Sequence, residues 1–119
     1  MTVQEERSLS AEELALVEWL VDHGRPDAHE YRSQISKLRV VSKCGCGCPS
    51  IDFAIGTTKK AGGSHIIADG HGKSPDCADV GIILHVREGE ISELEVYSAT
   101  GEPTTFSLPM LDSIVLWPE

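Results

Sequence analysis

The feature that most restricts the fold of this chain is an alternating apolar stretch over residues 80–98. It reads VGIILHV, then REG at 87–89, then EISELEVYS, which predicts an antiparallel β-hairpin. A three-residue loop with Gly89 in the left-handed position places Val86 opposite Glu90. This register turns one set of apolar side chains toward the core. They are Val80, Ile82, Leu84, Val86, Leu94 and Val96.

The opposite face of the predicted hairpin mixes apolar and acidic side chains, with Glu93 and Glu95 among them. In this register His85 lies opposite Ile91 and beside Glu93. Paired carboxylates can bind calcium or act in acid–base catalysis, but alternating acids on an outer sheet face more often keep strands soluble. Because the face is too apolar to be only solvated and too acidic to be core, we interpret it as a contact surface. Its predicted members are Ile83, His85, Ile91 and Tyr97.

Length and charge exclude some classes of function. With 119 residues the chain can bury a core of its own, so we expect one domain over residues 1–119 that needs no metal or disulfide to fold. A net charge of -9 and a pI near 4.9 argue against nucleic-acid binding, which requires clustered Lys and Arg. An apolar content of 40% is typical of globular proteins.

The sequence also predicts a cytoplasmic protein without a membrane segment. The first residues lack the apolar region of a signal peptide, and no apolar run is long enough to span a bilayer. In the cytoplasm, the four cysteines are expected to be reduced thiols or metal ligands.

Two helices are predicted before residue 39. Ser10 and Glu13 form a capping box, and Gly24 ends the first helix. Its predicted apolar stripe is Leu14, Val17, Leu20 and Val21. A second helix follows Arg25-Pro26 and runs to Leu38, making a helical hairpin. Residues 1–8 are expected to be a disordered tail.

Alternating patterns then predict short strands at 39–43, 51–55, 65–69 and 113–117 besides the hairpin. The polar, turn-rich run at 70–77 is expected to hold no regular element. The predicted fold is α+β, with the N-terminal helical hairpin packed on one face of a four- to five-stranded antiparallel sheet.

A run of cysteines is the strongest candidate for chemistry. Cys44, Cys46 and Cys48 alternate with glycines, so an extended chain directs the three sulfurs to one side. Cys77 could supply a fourth thiolate, with His65 and His71 as alternative ligands. Such a set suits tetrahedral zinc, although the spacing differs from the C-x2-C pairs of structural zinc sites.

Two other interpretations of the cysteine run stay open. The cysteines can be small packing residues in a glycine-rich bend. They can also sense redox state if Lys43, Lys59, Lys60 and Lys73 converge on them and lower a thiol pKa. No spacing ties a histidine to a cysteine as base and nucleophile, so the sequence predicts no catalytic residue.

Two separated motifs resemble a family of small uncharacterised bacterial proteins. The first is CGCGCPSIDF at 44–53, and the second is GIILHVREGEISELEVYSATGEP at 81–103. The family carries a Cys/Gly run ending in Pro-Ser or Pro-Thr before an aspartate, and a later LEVYS hairpin ending near GEP. It has no established activity, so the resemblance implies a small stand-alone protein and assigns no residue a role.

The sequence thus leads to two functional hypotheses. In the first, the chain acts without catalysis through contact with a protein partner or a second copy, using the outer hairpin face. In the second, the cysteine run binds a thiophilic metal such as zinc or senses redox state.

Overall fold

The structure is a computed structural model that describes residues 2–45, 48–56, 60–100 and 106–117. Its elements are β1 (Thr2–Arg7), α1 (Ala11–His23), a long 3-10 helix (Ala28–Lys37), β2 (Arg39–Cys44), β3 (Ile51–Ala54), β4 (His65–Lys73), β5 (Asp79–Arg87), β6 (Glu90–Ser98), a 3-10 turn (Leu111–Ser113) and β7 (Val115–Leu116). The α+β class is confirmed. Within these ranges, no helix has both the length and the apolar character needed to cross a membrane.

The strands form one sheet in the order β1-β2-β3-β6-β5-β4-β7, and every neighbouring pair is antiparallel. The described residues thus contribute seven strands where the sequence predicted four or five. Thr2–Arg7, expected as part of a disordered tail, instead pair with β2 as an edge strand. The expectation of no regular element at 70–77 is also wrong, because β4 continues to Lys73. Pairing with β5 on one side and β7 on the other outweighs the low strand propensity of its glycines.

The helices supply the second layer and enclose the core against one face of the sheet. The capping box at Ser10 and Glu13 is present, and Gly24 ends α1 as predicted. Leu16, and not Leu14, is buried beside Val17, whereas Leu14 is 38% exposed. The second helical element is a 3-10 helix, and it contacts both α1 and β6.

The hairpin of β5 and β6 has a different turn from the predicted one. Its loop holds two residues, Glu88 and Gly89, both in the left-handed region with φ of 51° and 79°. Such primed turns match the twist of paired strands, and glycine suits the second position. The pairing begins with Arg87 opposite Glu90 and Val86 opposite Ile91. The predicted three-residue loop is therefore wrong.

A β-bulge then shifts the register of the hairpin. His85 pairs with Glu93, so Ser92 is the additional residue between that pair and the pair of Val86 with Ile91. Beyond the bulge Leu84 pairs with Leu94. All six predicted core residues of the hairpin are at most 2% exposed, as expected.

The long 3-10 helix holds the turn end of this hairpin. The Gln34 side chain donates from Nε2 to the Gly89 carbonyl at 2.8 Å and accepts at Oε1 from the Ile91 N–H at 2.9 Å. Ile91 is fully buried in the core cluster, since the two-residue turn pairs it with Val86 on the core face of the sheet. The expectation that Ile91 belongs to a contact surface is therefore wrong.

A charged anchor fixes β1 to the first helix. Arg7 donates from Nη1 and Nη2 to the two carboxylate oxygens of Glu13 at 2.7 and 2.8 Å, and the Ser10 N–H donates to the same carboxylate at 2.8 Å. Glu13 is only 7% exposed. Burial by itself raises the pKa of Glu13, but the hydrogen bonds from Arg7 and Ser10 outweigh it and hold that pKa below its ordinary value.

We predict that Arg7→Met lowers the free energy of unfolding by about 1 to 2 kcal/mol, since it leaves a buried carboxylate without its main partner. Urea unfolding at neutral pH measures this. The control Arg32→Met breaks an exposed pair with Asp22 and should change stability by less than about 0.5 kcal/mol. Equal effects in the two variants would contradict the anchoring role of Arg7.

The effect of Arg7→Met should also depend on pH. Because the pKa of Glu13 is lower in the folded chain, the unfolded chain takes up the proton first as pH falls. The stabilisation is therefore present above the unfolded value near 4.5 and disappears as pH falls through the lowered folded value. The difference in the free energy of unfolding between the wild-type chain and Arg7→Met should therefore shrink over that acid range.

Candidate functional site

A groove of about 510 Å³ lies on the face of the sheet opposite the helices, here called the outer face. Its ionisable lining residues include Asp52, His85, Arg87, Glu93 and Glu95. Its size is within the range of small-molecule and cofactor sites in proteins. Three carboxylates thus face one guanidinium and one imidazole, so the groove is acidic when the histidine is neutral.

The strand register places these side chains. Asp52 of β3 pairs with Glu93 of β6, which in turn pairs with His85 of β5. The three positions form one row across adjacent strands. Glu95 lies two residues from Glu93 on the same face, because side chains alternate along a strand.

His85 is held from both ring nitrogens. Its Nε2 lies 2.8 Å from Oε1 of Glu95, and its Nδ1 lies 2.5 Å from the hydroxyl of Ser64. The residue is only 8% exposed. Contacts on both sides fix the ring plane and direct Nε2 toward the carboxylates.

The ligand atoms of His85, Glu93 and Glu95 all lie within 4.8 Å of one another. We call these three residues the outer-face cluster. One imidazole nitrogen and two carboxylates are donors that zinc, manganese and iron accept. Within the ranges that the structure describes, it is the one group of three or more potential metal-ligating residues at this spacing.

Neighbouring groups orient the carboxylates. Arg87 donates from Nη1 to Oε1 of Glu93 at 3.0 Å and to the Ser92 hydroxyl at 3.0 Å. Asp52 is 5% exposed and accepts a hydrogen bond of 2.5 Å from the Ser42 hydroxyl. Such partners fix the geometry of a metal-binding group and adjust its basicity.

The predicted cysteine site is only partly assembled. Cys44 and Cys48 line the groove, and both are half-buried. Cys46 lies outside the described residues. Cys77 is exposed in the turn between β4 and β5, where its φ is 68°.

The two histidines predicted as alternative ligands make other contacts. His65 lies 2.5 Å from Oδ2 of Asp27, next to the long 3-10 helix. His71 contacts the ring of Trp117, with 4.7 Å between ring centroids. Neither belongs to a group of three ligands among the residues described.

The lysines invoked for redox sensing bind carboxylates of their own. Lys43 lies 3.0 Å from Glu5, and Lys73 lies 2.6 Å from Asp79. Lys60 lies 3.9 Å from Glu90, and Lys59 is outside the described residues. These carboxylates offset the positive charges of the three described lysines.

Two of the four residues predicted for the contact surface are accessible on the outer face. Ile83 is half-buried and Tyr97 is 39% exposed on the outer face, whereas His85 lies in the groove and Ile91 in the core. The Tyr97 ring lies over Gly81 of β5, where a Cβ atom would come within 2.0 Å of its Cζ. Burial, with a smaller contribution from Asp69 and Glu95, raises the pKa of Tyr97.

The sequence placed His85, Glu93 and Glu95 on one face of the hairpin, but it did not identify them as a cluster because the predicted register was wrong by two residues. The predicted three-residue loop set His85 opposite Ile91, whereas the bulge sets it opposite Glu93. The signal was present as a histidine before the turn and acids at 93 and 95 after it. Ser64 had no signal, because its contact with His85 spans 21 residues.

Comparison with known proteins gives a family and no activity. A family model described as "Domain of unknown function (DUF6984)" matches residues 6–107. The match spans both motifs of the resemblance and confirms that the family is uncharacterised. No curated protein and no solved structure matches the chain.

We predict that Gly81→Ala displaces the Tyr97 ring into solvent and lowers its pKa toward the ordinary value. Tyrosinate absorbance in a Tyr31→Phe background measures this, since the chain has two tyrosines. In the same background Gly63→Ala is the control, because its Cβ would meet nothing within 4 Å. An unchanged pKa in Gly81→Ala would contradict the position of the ring.

Proposed function

Because the chain belongs to the DUF6984 family of unknown function, we propose a function from its own geometry: it binds a divalent transition-metal ion at the outer-face cluster. The observation that carries this proposal is the convergence of one imidazole and two carboxylates within 4.8 Å. The main ligands in this site are His85, Glu93 and Glu95, and not the cysteine run that the sequence suggested.

The charge balance of the groove supports a cation. Asp52, Glu93 and Glu95 lie close together on neighbouring strands, and among the lining residues that the structure describes only Arg87 always carries a positive charge. Like charges gathered in a partly buried site destabilise one another. A divalent ion would offset this repulsion, whereas an anionic ligand would add to it.

The surroundings of His85 support a metal rather than a simple ion pair. A metal-bound histidine usually uses its second ring nitrogen to bind a neighbouring polar group, which sets its tautomer and orientation. The Ser64 hydroxyl on Nδ1 fits this role and leaves Nε2 directed into the groove. Zinc in proteins is usually four-coordinate, so these three ligands leave a position of the ion for a further donor.

We expect Zn²⁺ to bind with one site per chain in calorimetric titration of the chelator-treated protein. His85→Gln should weaken binding by about 100-fold or more, since removing even a group that only orients a metal ligand costs about 10- to 100-fold. The matched control is His65→Gln, which removes an imidazole bound to a single carboxylate and should leave affinity unchanged. Equal affinities of wild type and His85→Gln would contradict the proposal.

A second candidate function is contact with another copy of the chain. The register aligns Tyr97 with Gly81, His71 and Val115 across four strands, and Trp117 lies against His71. Val115 is 55% exposed and Trp117 is 50% exposed. Apolar side chains grouped in this way on one face favour a contact surface.

Sedimentation velocity over a range of protein concentrations tests this candidate. We expect a concentration-dependent dimer that Trp117→Ser weakens by about 10-fold, as exposed aromatic residues often dominate interfaces. The control Met110→Ser changes an exposed apolar residue outside this group and should leave the dimer affinity unchanged. A monomer at all concentrations would contradict self-association.

A further inference from the structure

Two cysteines share the groove with the outer-face cluster. Cys44 ends β2 and Cys48 lies shortly before β3, and both line the same groove as His85, Glu93 and Glu95. Their sulfurs are not part of the group of ligand atoms within 4.8 Å. An ion bound to the cluster would nevertheless lie in a groove that these two cysteines also line.

The end of the Cys/Gly run is fixed beside one of the ligands. The Ser50 hydroxyl donates to the Val96 carbonyl at 2.9 Å and accepts from the Val96 N–H at 2.8 Å. Val96 directly follows Glu95. The Cys44 N–H donates to the Ser50 carbonyl at 3.2 Å, so both ends of the run are held close to β6.

We infer that the ion is thiophilic and of the zinc class, and that Cys44, Cys48 or both bind it as thiolates beside His85 and the two glutamates. This inference rests on the proposed metal binding and specifies its coordination. Zinc accepts sulfur, nitrogen and oxygen donors together, whereas magnesium and calcium select oxygen. Each thiol that binds loses its proton to solvent as its metal–sulfur bond forms.

The sulfurs have to move toward the cluster when the ion binds. A change of side-chain rotamer at a half-buried cysteine costs little compared with the formation of a metal–thiolate bond. Cys77 gives a matched comparison, because it is exposed in the β4–β5 turn and does not line the groove.

Cobalt substitution tests the inference, since Co²⁺ reports thiolate ligands through a near-ultraviolet charge-transfer band. We expect the band on titrating the chelator-treated, reduced chain with Co²⁺. It should disappear in Cys44→Ser/Cys48→Ser and persist in Cys77→Ser. A band that survives the double substitution overturns the assignment of Cys44 and Cys48.

The same titration separates this inference from the proposed function. Cobalt that binds one per chain and depends on His85, but gives no charge-transfer band, overturns the thiolate ligands and leaves the metal site in place. Failure of Co²⁺ and Zn²⁺ to bind at all overturns both.

A measurement on the wild-type chain avoids any dependence on the folding of the variants. We expect Zn²⁺ to slow the alkylation of at least one of Cys44 and Cys48 by iodoacetamide by about 10-fold or more, since a metal-bound thiolate is a poor nucleophile. Cys77 should react at the same rate with and without zinc. Peptide mass spectrometry assigns each modified cysteine. Equal alkylation of Cys44 and Cys48 with and without zinc overturns the inference.

Discussion

The pairing of β5 with β6 is the constraint on which the core and the candidate site both depend. Its two-residue turn fixes Arg87 opposite Glu90, and the bulge at Ser92 then changes the register by one residue. Because side chains alternate along a strand, such a change moves the side chain of every residue beyond the bulge to the opposite face of the sheet. Leu94 and Val96 thereby face the helices, while Glu93 and Glu95 face the groove.

The bulge is supported by contacts that neighbouring elements provide. Gln34 satisfies the Gly89 carbonyl and the Ile91 N–H, and the Ser92 hydroxyl donates to the His85 carbonyl at 3.4 Å. Backbone polar groups that lose a regular ladder partner need such replacements when buried. The same short segment therefore fills the core with Ile91 and places His85 beside two carboxylates.

Much of the fold could be predicted from local patterns. The capping box, the apolar alternation of the hairpin and the strand at residue 39 each depend on signals within a few residues, and all are present. The edge strand β1 was missed because its sequence is polar, and its position depends on Arg7 contacting Glu13 and on pairing with β2. The continuation of β4 to Lys73 depends on two partner strands that local propensity does not reveal.

The candidate site was harder to predict than the fold. The cysteine run can be recognised from sequence because its residues lie two apart in one short segment, whereas the outer-face cluster joins residues from two strands and needs the correct register. An error of two residues in the pairing put Ile91 opposite His85, so Glu93 was predicted beside His85 and not as its cross-strand partner. Of the predicted cysteine ligands, Cys44 and Cys48 line the groove that holds the cluster.

The most direct test of the metal site is a crystal of the chain grown with zinc, measured by anomalous diffraction at the zinc absorption edge. We expect a strong peak in the groove, about 2.0 to 2.2 Å from Nε2 of His85 and from a carboxylate oxygen of Glu93 or Glu95. A fully occupied peak elsewhere, such as beside Asp27 and His65, with none at His85, would contradict it.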